Sequence, residues 1–174
     1  MTTYISLLRG INVGGHKKIL MSDLTAIYQD LGFENVCTYI QSGNVIFMTK
    51  KYSSSAEISQ KISQKIYEKY GFEVAIFVIN IAEYKQIISA NPFTDTDNVY
   101  IGFFVNEPKI KTLENPHLPD DFLITENAVF VYCPNGYGKT KLSNSFFESK
   151  LKVEATTRNW KTSQKMLARA TSLS

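Results

Sequence analysis

Cysteine is almost absent from this chain: Cys37 and Cys133 are the only two in 174 residues. Both lie inside apolar, strand-like runs, which excludes a disulfide scaffold and reads as reduced core thiols of a cytoplasmic protein. Histidine is equally scarce. His16 and His117 stand alone, neither at ligand spacing from a cysteine, so no metal site is expected and no cofactor is called for. No stretch reaches the roughly 18 apolar residues of a membrane span, so no membrane partner is expected. The opening MTTYISLLRGINVGG has neither a basic leader nor a long apolar core, so no secretory signal is expected either. A strong charge of one sign is missing too, with 19 Lys and Arg against 16 Asp and Glu. That balance, with 11 Phe and 10 Tyr, excludes intrinsic disorder and gives no sign of a general polyanion binder.

What is present is patterned. Tyr4 to Arg9 reads as a short strand closed by Gly10. Met21, Leu24, Tyr28 and Leu31 then mark one stripe of a helix stopped by Gly32. Val36 to Gln41 and Asn44 to Met48 read as a hairpin turning at Ser42-Gly43. Ser54 caps a helix to Tyr70 with Ile58, Ile62 and Ile66 on one face, and Glu73 to Ile79 is apolar on both faces. The order β-α-β-β-α-β is the ferredoxin-like unit. A second half partly repeats it. A helix at Ala82 to Ala90 precedes a strand at Val99 to Val105 and a proline-bounded stretch with one short helix. A hairpin through Glu126-Asn127 follows, then helices at Ser143 to Leu151 and Trp160 to Ala170. The expectation is an α+β fold of two ferredoxin-like halves, residues 1–80 and 81–174. They are expected to pack as one compact unit, with antiparallel sheets and helices on one face, the second half lacking a clear final strand.

Topology and charge single out candidate ligand residues. The end of the first strand and the tip of the hairpin fall on the same sheet edge, because a crossover makes the first two strands run in one direction. That edge gathers Arg9, Asn12, Gly14, Gly15, Lys17 and Lys18 with Gln41, Ser42 and Asn44. Glycines admit close backbone approach, and the next helix start adds its positive dipole end, so the loop reads as an anion cradle or as a solvated turn. Charge along the chain is also uneven. Residues 91–132 set Lys109 and Lys111 against seven acids, whereas residues 133–174 hold eight basic residues against Glu148 and Glu154. Within that basic tail, Gly138-Lys139-Thr140 matches the end of a phosphate-binding loop, but Cys133 stands where its first glycine belongs and no strand ends in a magnesium-binding Asp. Lys139 and Lys141 remain candidates for an anion near a helix start. Thr157 or Asn159 could cap the last helix, with Trp160 docking it, whereas Arg158 beside a helix start gains nothing from the dipole and calls for an anionic partner.

At these residues a family resemblance emerges. Leu7-Leu8-Arg9-Gly10-Ile11-Asn12-Val13-Gly14-Gly15 and Thr38-Tyr39-Ile40-Gln41-Ser42-Gly43-Asn44-Val45-Ile46-Phe47 resemble the bacterial family catalogued as domain of unknown function 1697. Gly136-Tyr137-Gly138-Lys139-Thr140-Lys141-Leu142, Glu148, Thr157-Arg158-Asn159-Trp160 and Thr162 are similar to its C-terminal signature. The resemblance implies a cytosolic α+β protein and assigns no activity.

Two functions follow as expectations. One is a binding module for a phosphate-bearing ligand, a nucleotide or a nucleic-acid segment. Arg9, Lys17, Lys18, Lys139, Lys141 and Arg158 would neutralise phosphate, while Asn12, Gln41, Ser42, Asn44 and Asn159 would give direction. RNA-binding strand motifs match weakly at Val99-Tyr100-Ile101 and Phe130-Val131, where core packing is the simpler role. The other is an enzyme acting on a phosphorylated or acyl small molecule with Glu148 as acid or base, against a salt bridge from Glu148 to Lys152. The oligomeric state is left open.

Overall fold

The computed structural model describes residues 1–52 and 54–174. The chain forms two compact units, one of residues 1–85 with 166–174 and the other of residues 86–165.

In the first unit, β1 (Thr2–Leu8), β2 (Glu34–Tyr39), β3 (Asn44–Thr49) and β4 (Ile76–Asn80) build an antiparallel sheet in the order β2-β3-β1-β4. α1 (Met21–Asp30) and α2 (Ser55–Tyr70) connect them. The alternation of strand residues decides which side chains meet the helices. Tyr4, Leu8, Val45, Phe47, Ile76 and Val78 form one core cluster with Leu24 and Tyr28 of α1 and the Ile58, Ile62, Ile66 row of α2. A buried hydrogen bond of 2.6 Å joins the Tyr28 and Ser6 hydroxyls inside that cluster and satisfies both groups, which apolar surroundings would otherwise penalise. Ser54 Oγ accepts the Glu57 N–H at the start of α2, and Gly71, at φ 75°, ends it in the left-handed region. On the opposite sheet face, the Arg169 guanidinium sits 4.6 Å from the centre of the Tyr39 ring.

The second unit repeats the strand order. β5 (Val99–Phe104), β6 (Asp121–Ile124), β7 (Ala128–Tyr132) and β8 (Ala155–Asn159) are arranged β6-β7-β5-β8, again antiparallel. α4 (Asn144–Leu151) lays Phe147 and Leu151 on Phe104, Val129, Val131 and Ala155. Two expectations fail here. The final strand exists: Ala155-Thr156-Thr157-Arg158-Asn159 pairs with β5 from Tyr100↔Asn159 to Phe104↔Ala155. Its polar sequence hid it, because its buried members include Thr156 and Arg158 rather than an apolar row. The short helix expected among the prolines does not form. Residues 105–120 are irregular, held by the Lys109 and Ile110 N–H groups on the Leu151 carbonyl and by Asn115 Nδ2 on the Asp120 carbonyl. α3 (Ile81–Ser89) and α5 (Trp160–Leu173) each run across the boundary between the units.

Candidate functional site

The glycine loop after β1 folds into a small finger. Asn12 N–H donates to the Lys17 carbonyl and His16 N–H to the Val13 carbonyl, while Gly14 and Gly15 stand at φ 57° and 75°. Two successive positive φ values are what a tight two-residue hairpin turn of the primed kind demands. These glycines therefore serve the turn. Lys17 reaches across to donate to the Glu73 carbonyl at 2.7 Å. Lys18, whose stem passes close to Gly15, has no hydrogen-bond or ion-pair partner among the described residues.

Asn12 ties the finger to its surroundings. Its Nδ2 donates to the carbonyls of Ile19 at 3.0 Å and Gln41 at 2.8 Å, and its Oδ1 accepts the Ile19 N–H at 2.9 Å. One amide thus joins the β1–α1 loop, the start of α1 and the tip of the β2–β3 hairpin. Asn44, fully buried, closes that hairpin through the Tyr39 carbonyl and the Ser42 hydroxyl. Gly43 is required there: a Cβ would stand 2.7 Å from the Leu8 Cβ and 2.8 Å from the Ile11 Cδ1. Ser42 and Asn44 are thus parts of the hairpin's own closure. Arg9, half-buried, hands its N–H to the Ala75 carbonyl.

Between the finger, the hairpin tip and α1 lies a cleft of about 600 Å³. Its polar wall is Asn12, Gly15, Lys18 and Gln41; the apolar wall is Ile19, Leu20, Met21 and Tyr70, with Asp23 beside it. The tyrosine was not singled out from sequence; only the tertiary approach of the two helices brings it there. Tyr70 donates to Asp23 Oδ2 at 2.7 Å, and Lys69 lies 3.5 Å from Oδ1. The Tyr70 hydrogen bond, ahead of an opposing desolvation and then Lys69, holds the Asp23 carboxyl below its ordinary range. Desolvation and the neighbouring carboxylate push the Tyr70 hydroxyl up to about 12. α1 opens on Leu20, so no side chain caps its first turn.

The second unit distributes the remaining candidates differently. Residues 137–139 make a single 3₁₀ turn, and Lys139 and Lys141 are exposed beside it. Thr140, the place of a magnesium-binding hydroxyl in a phosphate loop, donates to Asp120 Oδ2 at 2.5 Å and accepts the Leu142 N–H at 3.0 Å. Burial, above all, raises the Cys133 thiol next to it. Arg158 lies in β8, only 9% exposed, with its guanidinium donating to Thr156 Oγ1 at 2.7 Å and the Thr157 carbonyl at 3.0 Å. Two neutral oxygens of its own strand thus receive N–H groups of the guanidinium. Asn159 caps α5 by accepting the Thr162 N–H at 2.7 Å. Glu148 is half-buried, and its Oε1 accepts the Ala155 N–H at 3.0 Å, which anchors the first residue of β8. Tyr100 stacks on Tyr137 at 4.5 Å, and Phe130 is fully buried. Among the described residues no group of three or more His, Cys, Asp or Glu is placed to hold a metal ion, and no helix is long and apolar enough to cross a membrane.

Comparison with known proteins adds the family and the fold. A conserved bacterial protein from Streptococcus pneumoniae superposes with a TM-score of 0.74 at 23% identity, over 97% of this chain and 98% of that one. No curated protein matches the chain. The model of the family described as "Protein of unknown function (DUF1697)" matches residues 1–130. The match covers most of the chain, including the finger, the hairpin tip and the cleft between them, and on it the chain belongs to that family.

Proposed function

We propose that the protein is a cytoplasmic binding module for a small phosphate-bearing molecule, taken up in the cleft of the first unit. The observation that carries this reading is the convergence of Asn12, Gly15, Lys18 and Gln41 on one cleft of about 600 Å³, a volume within the range of small-molecule sites. Lys18 brings a cation with no partner of its own among the described residues. The uncapped first turn of α1 offers backbone N–H groups and the positive end of a ten-residue helix at the same place. Asp23 does not cancel this, since Lys69 and the Tyr70 hydroxyl already face its two oxygens. The cleft suits a nucleotide-sized ligand better than a strand of nucleic acid, for which the aromatic platform is lacking: Tyr100 is stacked and Phe130 buried. Acid or base work by Glu148 has no comparable support, because a carboxylate oxygen is committed to β8.

A thermal-shift screen over nucleotides and phosphorylated metabolites tests the proposal. A ligand at about a hundred times its Kd adds about 2.7 kcal/mol to the folded state, and the midpoint rises by several degrees. Lys18→Gln is expected to remove most of that rise while leaving the unliganded midpoint unchanged. No rise with any phosphorylated compound, or a rise that survives Lys18→Gln intact, overturns it.

A further inference from the structure

The turn at residues 117–120 shows an apolar side chain to water on a pinned support. Leu118, 77% exposed, is the most exposed large apolar side chain among the described residues. A single exposed leucine is ordinary on a protein surface; its setting here is not. Asp120 N–H donates to the His117 carbonyl at 3.1 Å, and His117 N–H donates to Asn115 Oδ1 at 3.0 Å. Asn115 Nδ2 donates to the Asp120 carbonyl at 2.8 Å, and the Thr140 hydroxyl holds the Asp120 carboxylate. The His117 ring meets the edge of Phe146, and Pro116 and Pro119 each fix their own φ. A turn tied at this many points loses little freedom when a partner covers its tip, so the contact is preorganised.

The cleft of the first unit has the complementary character. Ile19, Leu20, Met21 and Tyr70 give it an apolar wall, and Lys18 stands on it with no partner among the described residues. Residues 9–18 hold Arg9, Lys17 and Lys18 and no acid, whereas residues 112–121 hold Glu114, Asp120 and Asp121 and no Lys or Arg. Glu114 and Asp121 are exposed, and Glu114 has no partner of its own among the described residues. Opposite charge on two surfaces steers their encounter and fixes their register.

We infer that the cleft receives the Leu118 turn of a second copy of this chain. Leu118 packs on the apolar wall, and the acidic flanks of the turn face Lys18. Leu118 is open to water in its own chain, so the turn comes from another molecule. The contact joins two different surfaces and is therefore head-to-tail. One leucine and its flanks bury little area, so the association is weak and concentration-dependent. A small molecule and the turn exclude each other in the cleft, which makes self-association a brake on ligand uptake. The inference uses the cleft but not its reading as a phosphate site, and its test contains no ligand, so either can fail alone.

The test is sedimentation equilibrium of the full chain and two variants, Leu118→Asp and Lys18→Glu. The average mass of the unchanged protein is expected to rise above the monomer value between about 10 µM and 1 mM, and to rise less in 0.5 M than in 0.05 M NaCl. Each variant is expected to weaken association at least tenfold with its melting midpoint unchanged, since both side chains are exposed. Mixing the two variants decides the geometry. Leu118→Asp keeps an intact cleft and Lys18→Glu an intact turn, so the mixture is expected to form heterodimers that neither variant forms alone. Unchanged protein that stays monomeric to 1 mM overturns the inference. Association that survives either variant overturns it as well, because another surface then carries the contact. A mixture that recovers nothing shows that Leu118 meets something other than the cleft, and it too overturns the inference.

Discussion

The two sheets share a strand order and part company in the connection between their first and second strands. In the first unit that connection, residues 9–33, contains the finger and α1; in the second, residues 105–120 contain no helix. The order survives without the helix because other features set it. Each unit has a tight hairpin joining its second and third strands and a helix returning the chain to its fourth. In the second unit the irregular segment takes over the covering role. Leu113 packs on the core cluster, and the His117 ring meets the edge of Phe146 at 5.8 Å. A helix at this place is therefore an addition to the sheet rather than a condition for it, and where it is present its uncapped start forms a wall of the cleft.

The sharpest way to break this comparison is to overpack each sheet beside its first strand. Gly43→Ala places a methyl 2.7 Å from the Leu8 Cβ at a φ of 82°, whereas Gly102→Ala crowds one side-chain tip, the Val129 Cγ1 at 2.9 Å, with Thr157 Oγ1 at an ordinary 3.5 Å. About 3 kcal/mol is expected for the first and about 2 for the second in urea unfolding. A Gly43→Ala cost below about 1 kcal/mol would contradict the close approach that holds hairpin and finger together.

Removing the two asparagine ties comes next. Asn12→Ala deletes three hydrogen bonds at a positive φ. Asn144→Ala deletes the bond from Nδ2 to the Ala155 carbonyl and the one that Oδ1 receives from Thr157. About 2 kcal/mol and about 1 kcal/mol are expected. Hydrogen exchange should quicken near residues 12–19 and 40–42 in the first variant and near residues 155–157 in the second. The same pattern in both variants would mean that the ties are not local.

The smallest effect is at low pH. The Asp23 pKa is depressed in the folded chain, first by the Tyr70 hydroxyl. Its contribution is therefore present above the unfolded carboxylate value of about 4 and is lost as pH falls through the folded value. Tyr70→Phe should flatten that part of the acid profile of the melting midpoint. It should also remove a loss between about pH 10 and 12, because the raised Tyr70 pKa stabilises the fold up to the unfolded value of about 10 and no further. Identical acid profiles before and after the substitution would show that the pair contributes nothing.

Much of the first sheet was legible in the chain. The isoleucine row of α2, its Ser54 cap and the Ser42-Gly43 turn are local signals, and local signals decided those elements. β8 was not legible because a strand with Thr156 and Arg158 buried carries no apolar alternation. The irregular stretch 105–120 was misread because proline boundaries fit a short helix as well as a pinned loop. In the candidate site, chain topology brought the β1–α1 loop and the hairpin tip together in advance. It could not reveal that Lys17 is committed to the Glu73 carbonyl, or that Tyr70 arrives from α2.

The path of the chain has a consequence for how the protein can be divided. The first unit is interrupted after residue 85 and resumes at residue 166, where Arg169 covers Tyr39 and the Ser174 hydroxyl meets Thr3 Oγ1 at 3.1 Å. In topological terms the second unit is an insert and the first is its host. A fragment ending at residue 85 would keep the finger and the cleft but lose the segment that closes its own sheet. A permuted chain joining Ser174 to Met1 through a short linker, and opened within the insert, would keep the host whole. The covalent order, rather than the sheet boundaries, tells an experimenter where this molecule can be cut.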